Sequence, residues 1–247
     1  MKIKLMLALL ICLGSSTIFA AGKIVHYKID GQPYEGHFNF AGKNAPLVLL
    51  LHDWDGLTDY EIKRSNMLVA LGYSVFSADL FGAGIRPTKV SDKRQHTGAL
   101  YKNRKKMRKL LKGALKAAKA QGGDVSNAVS MGYCFGGAAA LELARSGAEL
   151  KGFATFHGGL TTPSNQNYQE TKGKILIMHG SADKHISMDD FSNLTNELEK
   201  DNIPHEMITY SGAPHAFTVF GAPSYREEAD RASWDRFVQF LRARLKP

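Results

Sequence analysis

The stretch Asn127–Ala144, NAVSMGYCFGGAAALELA, constrains this chain more than any other. A short apolar run (Ala128, Val129, Met131) enters Gly132-Tyr133-Cys134-Phe135-Gly136-Gly137 and leaves as a small-residue helix from Ala138 to Arg145. The pattern predicts a strand, a tight turn and a helix, with one thiol at the tip of the turn. Glycines on both sides suit a corner where backbone segments approach too closely for side chains. The helix supplies a partly positive N-terminus, which favours a thiolate and offers N–H groups to an oxyanion. Cys134 therefore reads as a nucleophile at an elbow; the competing reading is a buried structural cysteine.

The remainder of the chain alternates apolar runs with amphipathic ones. Ile24–Ile29 and Tyr34–Phe40 alternate around Asp30-Gly31-Gln32-Pro33 and predict an antiparallel hairpin. Pro46–Leu51, Tyr73–Ala78, Lys151–Phe156, Gly173–Met178 and His205–Tyr210 read as further strands, the first continuous enough to be buried on both faces. Helices are expected from Thr58 to Leu71, from Tyr101 to about Gln121, from Ser187 to Lys200 and from Tyr225 to Leu245. Thr58/Glu61 and Ser187/Asp190 have the spacing of capping boxes. Residues 82–98 read as an irregular excursion, and Thr161–Lys172 as a mobile surface loop. Alternating strands and helices over this length predict an α/β fold with a mostly parallel sheet covered on both faces. In such sheets function gathers in the loops beyond the carboxyl ends of the strands.

The first twenty residues stand apart. Lys2 and Lys4 precede the apolar run Leu5–Leu13, and Gly14-Ser15-Ser16 leads to Phe19-Ala20-Ala21. This is the pattern of a secretory signal cleaved after Ala20, leaving residues 21–247 as one domain that is exported, periplasmic or secreted. Cys12 leaves with the signal, so the mature chain keeps Cys134 as its single cysteine. An unpaired thiol in an oxidising compartment carries an oxidation risk, which weighs against a merely structural role. Removing Lys2 and Lys4 takes the net charge from +9 to +7, and nine lysines and arginines fall within 101–119 without an acid. Met107, Leu111, Leu115 and Ala118 recur there at helical spacing, so the basic side reads as a solvated helix face. With no aromatics interleaved for base stacking, nucleic acid is not the expected partner, and no stable membrane association is expected once the signal is removed.

A thiol nucleophile needs a base, and the base needs a group that fixes its tautomer. In the nucleophile–acid–histidine chain order of α/β hydrolases, Asp183 falls after a strand as the acid and His215 precedes the last helix as the base. His179 reads as a structural histidine under the acid loop, and His157 as a residue lining the pocket. The oxyanion would be met by the backbone N–H groups of Phe135 and Trp54. No close His/Cys/Asp spacing calls for a metal, and no cofactor is implied.

Gly132-Tyr133-Cys134-Phe135-Gly136-Gly137, His52-Asp53-Trp54-Asp55-Gly56, Asp79-Leu80-Phe81, His179-Gly180 with Asp183, and Pro214-His215-Ala216-Phe217 together resemble the dienelactone hydrolase family over residues 24–245. The resemblance implies an α/β-hydrolase fold and a Cys-His-Asp triad that opens a small ester or lactone through a thioester acyl-enzyme. It also implies that Asp53, where the family's archetype carries a glutamate, helps to deprotonate the thiol. Arg86 would hold a substrate carboxylate, with Tyr133 beside the nucleophile also at the substrate. Val219 replaces the second carboxylate-binding arginine, which directs the expectation towards an ester other than the archetypal dienelactone. A non-catalytic binding protein on the same scaffold, and a thiol redox sensor, are the alternatives.

Overall fold

The computed structural model of the protein describes residues 22–246; the segment 1–20, read above as an export signal, lies outside them. β1 (Lys23–Ile29) and β2 (Gln32–Asn39) form the expected hairpin, its two-residue turn made by Asp30 (φ 53°) and Gly31 (φ 76°). Positive φ at both turn residues matches the right-handed twist of the paired strands. β3 (Pro46–Leu51), β4 (Ser74–Ala78), β5 (Asp124–Tyr133), β6 (Gly152–Phe156), β7 (Lys174–Gly180) and β8 (His205–Tyr210) complete an eight-stranded sheet in the order β1-β2-β4-β3-β5-β6-β7-β8. From β4 to β8 every neighbouring pair is parallel, whereas β2 lies antiparallel to both its neighbours. This is the mostly parallel α/β sheet that the sequence predicts.

Side-chain alternation sorts each inner strand between two apolar layers. Leu47, Leu49 and Leu51 of β3 join Phe153, Ile175 and Ile177 on one face, against α3 (Arg104–Ala120), α4 (Phe135–Arg145) and α5 (Met188–Lys200). Val48 and Leu50 join Met131, Phe156 and Met178 on the other, against α1 (Asp59–Val69) and α6 (Glu227–Arg244). All six residues of β3 are buried, as an apolar run covered on both faces requires. Both capping boxes form: Thr58 with Glu61 opens α1, and Ser187 with Asp190 opens α5.

Three expectations need correction. The stretch 82–98 is irregular only in its first part, because α2 (Val90–Lys102) begins within it and packs Thr97 and Leu100 inward. Its N-cap, Lys89, makes no side-chain capping bond, so the usual start signal is missing. The helix expected from Tyr101 is two helices, divided at Asn103 (φ −125°, ψ 73°), whose side chain accepts from the Lys106 amide and caps α3. The loop 161–172 carries a buried anchor: Tyr168 is fully covered and its hydroxyl accepts from Arg145 at 2.6 Å.

Candidate active site

The glycines around Cys134 are explained by contact distances. A Cβ on Gly132 would lie 2.1 Å from the Gly136 backbone, and one on Gly136 would lie 2.2 Å from the Leu51 carbonyl oxygen. β5, the first turn of α4 and the end of β3 are therefore in backbone contact, which only glycine permits. Cys134 itself has φ 50° and ψ −112°, a strained conformation for a residue with a side chain. The strain turns the thiol out of the sheet at the head of α4. Phe135 is the first residue of that helix, so its N–H has no intrahelical acceptor and faces the same end.

Two loops bring the partners to the thiol. His215, after β8, places Nε2 3.2 Å from Cys134 Sγ and Nδ1 2.7 Å from Asp183 Oδ2. The other carboxylate oxygen of Asp183 accepts from the backbone amides of His185 and Ile186, at 2.8 and 3.0 Å, which fixes the acid in turn. Burial opposes ionisation of Asp183, but the hydrogen bond and charge of His215 and the two amides hold its pKa below the usual range. Burial likewise opposes charge on His215, and is outweighed by its bonds to Asp183 and Cys134, which raise its pKa to about 10. The arrangement favours an imidazolium beside the sulfur.

Asp53 lies against the same space. Its carboxylate accepts from the Asp55 amide at 2.8 Å, and burial raises its pKa to about 6. Behind it sits Glu61, wholly buried, which accepts from the Thr58 amide and hydroxyl at 2.8 Å each. Burial first, and the neighbouring Asp53 second, raise the pKa of Glu61 to about 8. Two carboxyl groups thus share one poorly solvated corner near Cys134 and His215.

A cavity of about 470 Å³ opens over these groups, lined by Asp53, Trp54, Cys134 and His215 together with Arg94, Tyr101 and His185. Of the residues expected here, three are elsewhere. Arg86 donates to the backbone carbonyls of Leu57 and Ile85 and faces Glu35 and Asp79 at 3.8 and 3.9 Å, pinning the loop after β4 instead of facing the cavity. Tyr133 is fully buried in the opposite layer, because the residue before the elbow still obeys the alternation of β5. His157 is fully buried behind His215, its ring 5.3 Å from that ring, and Nε2 shares a 2.7 Å hydrogen bond with Thr218 Oγ1. His179 lies buried under the acid loop and stacks on Phe191 at 5.6 Å. Arg94 and Tyr101 line the cavity from α2, whose first half looks irregular in sequence; the spacing of the buried Thr97 and Leu100 is the local signal that places them.

The histidine loop is tied to the body from below. Arg64, 1% exposed, donates to Thr218 O at 2.7 Å and to Asp230 Oδ1 at 2.5 Å. Tyr60 OH meets Thr218 Oγ1 at 2.7 Å, and Phe220 and Trp234 pack over the guanidinium. Among the described residues no cluster of His, Cys, Asp and Glu has the form of a metal site.

With this geometry in view, the relatives are informative. Residues 37–245 match the model of the dienelactone hydrolase family. A protein of Saccharolobus solfataricus named "Putative carboxymethylenebutenolidase" is 28% identical over 89% of this chain and 98% of its own length. One of the same name from Escherichia coli is 26% identical, over 51% of this chain and about half (49%) of its own length. A solved dienelactone hydrolase-like promiscuous phosphotriesterase from metagenomic libraries superposes with a TM-score of 0.84 at 26% identity, covering 91% of this chain and 98% of the other. The chain belongs to the dienelactone hydrolase family and is a hydrolase of that type.

Proposed function

We propose that the protein hydrolyses small carboxylic esters or lactones through Cys134, His215 and Asp183. The observation that carries this reading is the continuous line Sγ–Nε2 (3.2 Å) and Nδ1–Oδ2 (2.7 Å), opening on a cavity large enough for a small ester. The thiolate adds to the acyl carbon, and the developing oxyanion meets the N–H groups of Phe135 and Trp54. His215 gives its proton to the departing alkoxide, leaving a thioester on Cys134. Water then enters, His215 takes one of its protons, and the thioester opens to the acid and the free thiol. Asp53, poised near pH 6 at the cavity wall, supplies a second carboxylate able to take the thiol proton when substrate excludes water. Arg94 at the rim offers a cation to an anionic substituent, the role that the family resemblance implies for Arg86.

The test is a panel of chromogenic esters and lactones, neutral and anionic, with one phosphotriester, run on the native chain and on Cys134→Ser and His215→Ala. Loss of hydrolysis in both variants, with an acyl adduct on Cys134 visible by mass spectrometry in the native protein, is the expected result. Undiminished turnover in either variant defeats the reading. Export follows from residues 1–20 as a separate proposal, checked by the N-terminus of protein recovered outside the cytoplasm; Ala21 is the expected first residue.

A further inference from the structure

From Lys93 to Gly123 the chain has eleven lysines and arginines and no acid. The structure divides them sharply. Arg94 of α2 is exposed at the cavity rim, but the two arginines of α3 turn inward: Arg104 and Arg108 reach the fully buried carboxylate of Glu142, which Arg145 also meets at 2.9 Å. The lysines of α3 turn outward. Lys105, Lys109, Lys112, Lys116 and Lys119 are all exposed and follow one another in steps of four, three, four and three residues. At about 100° per residue these positions stay within about 40° of one line along the helix. Met107, Leu110, Leu111, Ala114, Ala117 and Ala118 occupy the opposite, buried side. The row runs for about 21 Å at a rise of about 1.5 Å per residue. Lys109 pairs with Asp30; the other four have no carboxylate within 4.0 Å among the described residues, although Glu149 shares a groove with Lys116 and Lys119. At its near end, Lys105 borders a groove with Tyr101, which also lines the candidate active-site cavity.

We propose that this row is a docking face for an anionic phospholipid bilayer, holding the protein by reversible, salt-sensitive contact with its cavity mouth at the edge of the contact. The shape of the row chooses the occupant. A straight ridge on a convex helix presents its charges to a flat surface, whereas an extended nucleic acid tracks a basic groove set with successive aromatic platforms, and the one aromatic bordering the grooves beside this row is Tyr101 at its end. Lysine is a compact point charge suited to a diffuse array of phosphates; the forked guanidinium groups, suited to bidentate contacts, are turned away to Glu142. The inference rests on charge and geometry and does not depend on the chemistry proposed for Cys134.

The experiment is co-sedimentation of the full chain with phosphatidylcholine vesicles and with vesicles also containing phosphatidylglycerol, in low and high sodium chloride. The apolar run Leu5–Leu13 contributes to both vesicle types, and the neutral arm subtracts it. A lysine near an anionic surface is worth about fivefold in partitioning. The combined Lys105→Gln, Lys112→Gln, Lys116→Gln and Lys119→Gln variant is therefore expected to lose at least about 100-fold of the anionic preference. Glutamine preserves helix propensity, so its circular dichroism and its rate on a soluble ester should match the native chain. Equal binding to both vesicles overturns the proposal. So does an anionic preference that survives in the variant, which would point to Lys2 and Lys4, or tighter retention at equal salt by duplex DNA than by the anionic vesicles.

Discussion

At the residue scale, Cys134 combines the proposed nucleophile with a strained backbone. A β-carbon at φ 50° and ψ −112° costs of order 1–3 kcal/mol, held in place by packing of the elbow. Cys134→Gly should remove hydrolysis and raise Tm, while Cys134→Ala should lower kcat by at least about 1,000-fold and leave Tm close to native, as read by ester assay and thermal melts. Asp53 gives a second prediction. Its carboxyl is protonated below about pH 6, so if it accepts the thiol proton the rate falls as pH drops through that value. In Asp53→Asn that acidic limb should vanish from the pH–rate profile, with turnover reduced about 10–100-fold at neutral pH. Loss of activity with the limb intact would leave Asp53 a packing residue.

At the scale of elements, buried charged groups of α1 tie its own N-terminus and the histidine loop to the body. Glu61 caps α1 yet lies buried beside Asp53, and its folded pKa of about 8 stands above its unfolded value of 4.5. Stability from its bound proton is complete below pH 4.5 and is lost as pH rises through 8. Glu61→Gln keeps a capping acceptor and should flatten the fall of Tm across that window. Arg64 ties α1 to Thr218 and Asp230, so Arg64→Met leaves a buried carboxylate unpaired and should cost about 3–5 kcal/mol; adding Asp230→Leu should recover much of it in denaturant titrations. What the sequence revealed follows the range of the interactions. Both capping boxes and the hairpin are local and were legible. The start of α2 was not, because Lys89 carries no capping bond. The meeting of Cys134, His215 and Asp183 could be placed from strand ends and chain order alone. Arg86 and His157 could not, since the direction of a side chain beyond a turn depends on partners far along the chain, Glu35 for one and Thr218 for the other. Tyr133 was legible in principle, from the alternation along β5.

At the scale of the whole molecule, a net charge of +9 surrounds a cavity whose rim carries Arg94. Such a field draws anions in and is screened by salt. The kcat/KM of an anionic ester should therefore fall severalfold between low and high ionic strength, whereas that of a neutral ester of the same acyl length should hardly change. Arg94→Gln should remove most of the difference. Finally, the backbone contacts at Gly132 and Gly136 lock the floor of the cavity to three elements of the sheet and helix layer. Nothing there can yield to a bulkier guest. Accommodation, whether by breathing in solution or by descent with modification, is left to the wall supplied by α2 and the loop after β7, so a laboratory seeking new substrates should diversify Arg94, Tyr101, His185 and Ile186 and leave the elbow alone.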